Sequence, residues 1–390
     1  MEFEYWWLLG FPLFFGLGWL AARIDIKHLL SESRALPASY FKGLNFLLNE
    51  QQDKAIEAFI EVARVDQDTV ELHFALGSLF RRRGEVERAI RMHQSLLERP
   101  DLDQERKLQA LFELGQDYLK AGLLDRAEQL LGELEGTKHW GDALKYLLEI
   151  YVQEKDWQQA IRAAQHLGEV SGRPYQVEIA HFHCEQAVAA SAQSDARGAR
   201  SHLAAALEVY RNCVRANMLL GDLEAAEGHH EAAILAWKRI ETQSPERLPL
   251  VAERLLTAYR ALGRADEGLE LLRGYLARYG SLDTLSVVFQ ATLEGDGPEA
   301  AYRLVRDELR RNPTLQGLDK LLEARLLDTS GERRQDLLLV RNLIHQHASR
   351  QALYQCDNCG FKARQYFWHC PACSGWETFP PRRNEECAAP

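Results

Sequence analysis

The chain has few of the marks of an enzyme. It contains no Gly-x-Ser-x-Gly, no phosphate loop ending in Gly-Lys-Ser/Thr, no His-Glu-x-x-His and no Gly-rich fingerprint after a strand. The common nucleophilic, nucleotide-dependent and metalloprotease chemistries therefore have no motif to rest on. It also lacks a basic excess. With 47 Lys and Arg against 57 Asp and Glu, the net charge is -10, whereas phosphate binding needs the opposite footprint, so nucleic acid is not expected as the main partner. Cysteine is scarce as well. Seven in 390 residues do not make a disulfide scaffold, and Cys184, Cys213 and Cys387 stand isolated and read as core or surface thiols.

The other four cysteines stand together. Cys356-Asp-Asn-Cys359-Gly360 is answered ten residues later by Cys370-Pro371-Ala-Cys373, and two such knuckles can place four thiolates at tetrahedral corners around one ion. Gly360 suits the turn whose N–H groups point at sulfur, and Pro371 rigidifies the second knuckle. Tyr354, Phe361, Tyr366, Phe367, Trp368, Trp376 and Phe379 supply an aromatic core for so small a domain. An all-thiolate tetrahedron takes zinc or iron, and a shell closed by four ligands leaves no position for water or substrate, which favours a structural over a catalytic metal.

Whether thiols bind metal or pair as disulfides depends on the compartment, and the start of the chain bears on that. Residues 5–22 carry no charged side chain, and as a helix they would extend roughly 27 Å, enough to cross a bilayer core. Glu2 and Glu4 precede the stretch, no Ala-x-Ala site follows it, and Trp6, Trp7 and Trp19 flank it. These features describe a retained anchor rather than a cleaved signal. Arg23, Lys27 and Arg34 all follow the span, so the positive-inside rule puts the remainder in the cytoplasm, where thiols stay reduced.

Between residues 38 and 313 the pattern is helical and repetitive. Ala55 and Ala89 are 34 residues apart, the tetratricopeptide period. Leu76-Gly77, Phe80 and Ala89 recur as Leu114-Gly115, Tyr118 and Ala127, then as Leu147, Tyr151 and Ala160. A weak block holds Ala187 and Ala199. Leu220-Gly221, Ala233, Trp237 and Pro245 are clear, Leu256, Tyr259 and Gly268 follow, and a last block centres on Ala301. Small residues at the Gly and Ala positions let paired helices approach, large ones fill the gaps, and proline stops the second helix. About eight such pairs predict a superhelix. After it, 337–347 read LLLVRNLIHQH, apolar on more than one side, which predicts a helix buried between the last repeat and the metal domain.

The remaining candidates are fewer. Arg81-Arg82-Arg83 close a helix, where they complement its negative end or dock an acidic peptide. His181/His183 and His345/His347 are spaced i, i+2, about 200° apart on a helix, so neither pair can grip one ion. Tyr40, Arg81, Arg82 and His181 are the candidate partner-binding residues.

The order of anchor, repeats and a terminal Cys-x-x-Cys-Gly-Phe…Cys-Pro-x-Cys unit resembles the lipopolysaccharide assembly protein B family of Gram-negative bacteria, over essentially the whole chain. The likeness is most specific at Asn45-Phe46-Leu47-Leu48, Gly84-Glu85-Val86, Val177-Glu178-Ile179-Ala180-His181-Phe182 and Trp368-His369-Cys370-Pro371. The terminal unit is similar to rubredoxin, with Cys356, Cys359, Cys370 and Cys373 at the ligand positions of an iron site. The resemblance implies a non-enzymatic inner-membrane adaptor facing the cytoplasm. It would act with the membrane AAA protease on the deacetylase that commits precursor to lipid A, and would gather other lipopolysaccharide synthesis or transport proteins; a second copy of the chain is a further expected partner. The expected fold is all-α: an anchor at 1–22, a linker at 23–37, repeats at 38–313, a helical region at 314–353, a rubredoxin-like metal domain at 354–381 and a tail at 382–390.

Overall fold

The computed structural model describes residues 42–43, 45–46, 48–49, 51, 54–58, 70–351 and 354–381. The apolar stretch 5–22, the basic residues Arg23, Lys27 and Arg34, and Tyr40, Arg382, Arg383 and Cys387 lie outside the described residues. Among the described residues no helix is long and apolar enough to cross a membrane. The chain divides into two compact units, residues 1–150 and 151–390.

The first unit carries α1 (Val70–Arg83), α2 (Val86–Leu97), α3 (Gln104–Lys120), α4 (Leu124–Gly132) and most of α5 (Trp140–Glu154). Local sequence sets these boundaries. Gly84 and Gly122, at φ +81° and +76°, turn the chain after α1 and α3 in the left-handed region that glycine adopts without steric cost. Asp103 caps α3 by accepting the Arg106 N–H at 2.8 Å.

The second unit runs α6 (Trp157–Ser171), α7 (Gln176–Ala192), α8 (Ala196–Val209), α9 (Val214–Ala226) and α10 (His230–Lys238). A 3-10 helix at Pro245–Val251 follows, then α11 (Ala252–Ala261), α12 (Ala265–Tyr279), α13 (Leu282–Gly295), α14 (Pro298–Leu309), α15 (Leu315–Leu327) and α16 (Glu332–Gln351). Asp156 and Asp195 cap α6 and α8 through the N–H groups of Gln159 and Gly198. The last regular elements among the described residues are an antiparallel pair, β1 (Tyr354–Gln355) and β2 (Lys362–Ala363), with Tyr354 opposite Ala363.

The repeat register read from sequence holds in the packing. Ala55, Ala89, Ala127, Ala160, Ala199, Ala233 and Ala301 are all 0% exposed, as a position where two helices touch requires. A Cβ on Gly115 would come within 2.9 Å of the Leu131 side chain, and one on Gly221 would run into the Trp237 ring. Trp237 fills the space that Gly221 leaves and donates its indole N–H to the Met218 carbonyl at 3.1 Å, so its polar edge is satisfied where the ring is buried. The weak fifth block is a true helix pair: Ala180, Cys184 and Ala187 on α7 pack with Leu203 and Ala206 on α8. Its consensus is poor because alanines and cysteine close the gap that larger residues fill elsewhere.

One expectation fails. The LLLV segment of α16 is not buried between two bodies: Leu338, Leu339, Val340 and Leu343 are all exposed. α16 packs on α15, where Arg341 reaches Asp319 and Glu323 at 3.2 and 3.1 Å. The metal domain seats elsewhere, on elements far earlier in the chain.

Candidate metal centre

The two knuckles are built alike. In the first, the Cys356 N–H donates to the Phe361 carbonyl at 2.9 Å and the Gly360 N–H to the Cys356 carbonyl at 2.8 Å. The second repeats this with Cys370 N–H to Gly375 and Ser374 N–H to Cys370, both at 2.9 Å. Gly360 and Ser374 occupy equivalent places at φ +76° and +55°. The first knuckle thus has a glycine where the backbone is left-handed, and the second has a serine that bears the strain.

All four sulfurs lie within 4.8 Å of one another, with Cys356 to Cys373 at 3.8 Å and Cys359 to Cys370 at 3.7 Å. Four thiolates about 2.3 Å from a central zinc stand about 3.8 Å apart at the corners of a tetrahedron, so the donor set fits one ion of this kind. The surroundings favour ionised sulfur at Cys356 and Cys373. Asn358 Nδ2 donates to Cys373 Sγ at 3.3 Å, and the Thr378 hydroxyl lies 3.2 Å from Cys356 Sγ. Burial opposes ionisation of Cys356, yet the Thr378 hydroxyl and the backbone N–H groups of Cys359 and Asn358 bring its thiol down to about 6. The Phe361 N–H acts in the same sense on Cys359, but local desolvation and the three neighbouring sulfurs push that thiol up to about 12. Negative charge gathered among closely spaced sulfurs calls for a cation. Cys356 and Cys370 are buried, while Cys359 faces solvent.

The aromatic residues divide into two groups, where the sequence suggests one core. Tyr354 and Phe379 are buried beside the sulfurs, with Phe367 and Tyr366 packed on them. Trp368 and Trp376 instead face the repeats, and Phe361 is exposed. His181, on α7, is fully buried and stacks on the Trp376 ring at 4.8 Å, while Phe182 meets the same ring edge-on at 5.8 Å. His181 Nε2 lies 3.0 Å from Glu377 Oε1. Arg247, from the 3-10 helix, sits 3.6 Å from the other Glu377 oxygen and covers the Trp368 ring. Arg215 on α9 lies over Trp376, and the Tyr354 hydroxyl donates to Asp283 on α13 at 2.8 Å. The small domain is therefore held by four elements of the second unit.

Electrostatics support this seat. Burial holds His181 below the usual histidine range, although Glu377 pulls the other way. Burial alone would raise Glu377; the hydrogen bond and charge of His181 together with Arg247 outweigh it and hold the carboxyl below its ordinary value.

The other sequence candidates fall in different places. Arg81 pairs with Glu113 at 2.5 Å and Asp117 at 2.6 Å, and Asp117 Oδ2 also lies 2.5 Å from the buried His93 Nδ1. Arg81 is thus a strut between α1 and α3. Arg82 is exposed beside it and lines, with Phe112, Gln116, Lys145 and Tyr146, a concavity of about 430 Å³ in the first unit. His183 turns to Gln186 and His202, away from His181's partners. Cys184 and Cys213, isolated in sequence, meet at 3.9 Å in the core. Glu224, Glu227 and His229 gather at the surface, but Arg200 already binds both carboxylates. Sequence reasoning missed Glu377, Arg247, Arg215 and Asp283, and nothing in their spacing marks them.

Comparison with known proteins agrees with this geometry. The rubredoxin metal binding domain family matches residues 354–381, and the tetratricopeptide repeat family matches 42–101 and 184–247. Lipopolysaccharide assembly protein B of Escherichia coli (strain K12) is 35% identical over 376 residues, covering 96% of this chain and 97% of that protein. This chain belongs to the lipopolysaccharide assembly protein B family. The Haemophilus influenzae member is 30% identical over 390 residues, with 96% and 97% of the two chains covered.

Proposed function

We propose that the chain is a non-enzymatic adaptor in lipopolysaccharide assembly, held in the inner membrane by residues 5–22 with its bulk on the cytoplasmic side. Its repeats present one protein to another: the membrane AAA protease and the deacetylase that commits precursor to lipid A, with other synthesis or transport proteins gathered beside them. The concavity around Arg82, Phe112 and Tyr146 is the partner surface of the first unit. The metal is structural.

The observation that carries this reading is the seat of the metal domain. A four-thiolate shell leaves no open coordination position, and its domain is fastened to the repeats through His181, Glu377 and Arg247. That arrangement shapes a surface rather than a reaction centre.

Photo-crosslinking and affinity capture of the full chain from membranes test it. The expected result is recovery of the protease and the deacetylase, with Arg82→Glu weakening capture and removal of residues 1–22 abolishing control of deacetylase level in cells. A form lacking residues 1–22 that restores that control fully would contradict the membrane part of the proposal. A redox iron centre is the second reading, favoured by the exposure of Cys359 on the outer side of the cluster. Protein from cells at native abundance that absorbs in the visible and bleaches with reductant supports it; colourless protein with stoichiometric zinc rejects it.

A further inference from the structure

The exposed face of α16 has the pattern of a helix pair. Leu339, Val340 and Leu343 are 66%, 44% and 57% exposed. The neighbouring side of the helix, about 100° around, is occupied: Ala348 is buried, Leu337, Arg341 and Ile344 are half-buried, and Arg341 is tied to Asp319 and Glu323 on α15. On the free side Asp336, Val340, Leu343 and His347 follow in steps of four, three and four residues, the spacing of a coiled-coil seam, with Leu339 beside it. The seam has apolar residues at its centre and a charged or polar residue at each end.

Those ends decide what fits. Asp336 lies one turn before Val340 and His347 one turn after Leu343, both exposed. Two parallel copies of this seam would set Asp336 against Asp336. Two antiparallel copies, related by a two-fold axis between Arg341 and Asn342, set Asp336 against His347 at both ends and Val340 against Leu343 at the centre. Such self-complementarity of charge and shape is what an isologous interface requires. A bilayer surface fits less well, because the acidic Asp336 lies within the stripe rather than on a basic flank.

We propose that α16 is a self-association surface, on which α16 of a second copy of this chain packs antiparallel along Asp336, Val340, Leu343 and His347. One helix pair buries less than the roughly 1,200–2,000 Å² of a standard stable interface. The association is therefore weak in dilute solution and strengthened where both copies are confined to one membrane. The surface does not depend on which proteins the repeats present.

Sedimentation equilibrium of the full chain in density-matched detergent, over a hundredfold concentration range, tests the proposal. The wild-type chain should pass from one copy to two. Asp336→Arg alone and His347→Glu alone should each weaken association at least tenfold, and the double variant should restore it. The two positions are too far apart along one helix to compensate within a copy, so rescue reports contact between copies. Circular dichroism should be unchanged in every variant, since the substituted side chains are exposed. A photo-crosslinker at Leu343, in a mixture of isotopically light and heavy copies, should join light to heavy within residues 335–347. Mass independent of concentration, failure of the double variant to recover, or crosslinks confined to residues 1–41 or 382–390 of the same copy would each overturn the proposal.

Discussion

In the first unit, His93 Nδ1 lies 2.5 Å from Asp117, whose other oxygen takes Arg81; in the second, His181 Nε2 lies 3.0 Å from Glu377, whose other oxygen faces Arg247. The chemistry is the same, a buried imidazole and a guanidinium sharing one carboxylate. The reach is different. Asp117 and His93 are 24 residues apart on adjacent repeats, whereas His181 and Glu377 are 196 apart and join the repeats to the metal domain. The first cluster stiffens a stack that close helix packing already holds. The second is the contact by which a domain of some thirty residues, too small to bury much core of its own, becomes part of a larger one.

The comparison can be broken from either side. The largest effect is expected at Asp117, which is fully buried. Asp117→Ala leaves Arg81 and His93 without their shared partner and should destabilise the first unit by about 3–5 kcal/mol, while leaving metal content unchanged. Urea unfolding followed by a probe in α3 checks this, and a loss under about 1 kcal/mol would mean the cluster is replaceable. Glu377→Gln keeps the shape and removes the charge. It should weaken the seat by about 1–3 kcal/mol and increase proteolytic cleavage near 352, with the four cysteines still holding metal.

The second cluster also carries a pH dependence. His181 and Glu377 are both held below their ordinary values, so below about pH 6.5 the seated state binds fewer protons than the open one. The seat is at full strength above that pH and weakens as pH falls, by about 1 kcal/mol per unit for each group in its titration range. Amide exchange at residues 179–184 between pH 7.5 and 5.5, corrected for intrinsic rates and with metal content verified at each point, reads this directly. A flat profile would remove the electrostatic part of the account. The smallest effect is expected at the knuckles: Ser374→Gly relieves a left-handed serine and should stabilise the metal domain by up to about 1 kcal/mol, whereas Gly360→Ser should cost a similar amount.

The same contrast explains what could be read before the structure. The repeat register was legible because each Ala and Gly position recurs at a near-constant period and each must be small for one local reason, as Ala89 against its paired helix and Gly115 against Leu131 demonstrate. The four sulfur positions were legible because two residues of spacing in each knuckle determine the geometry. The seat of the metal domain was not, because Glu377, Arg247 and Arg215 meet only when distant segments fold together. Trp368 and Trp376 read as core for the small domain, and they are apolar cover for an interface instead. α16 misled for the opposite reason: an apolar run signals burial without saying whether this chain or another copy supplies it.

The central claim is that the metal-closed domain is a structural part of the second unit. Hydrogen exchange of the full chain, with the metal bound and after chelation, tests it most directly. Chelation is predicted to remove protection from residues 354–381 and from α7 at residues 179–184, while α3 in the first unit stays unchanged. Loss of protection in 354–381 with α7 fully protected would contradict the claim.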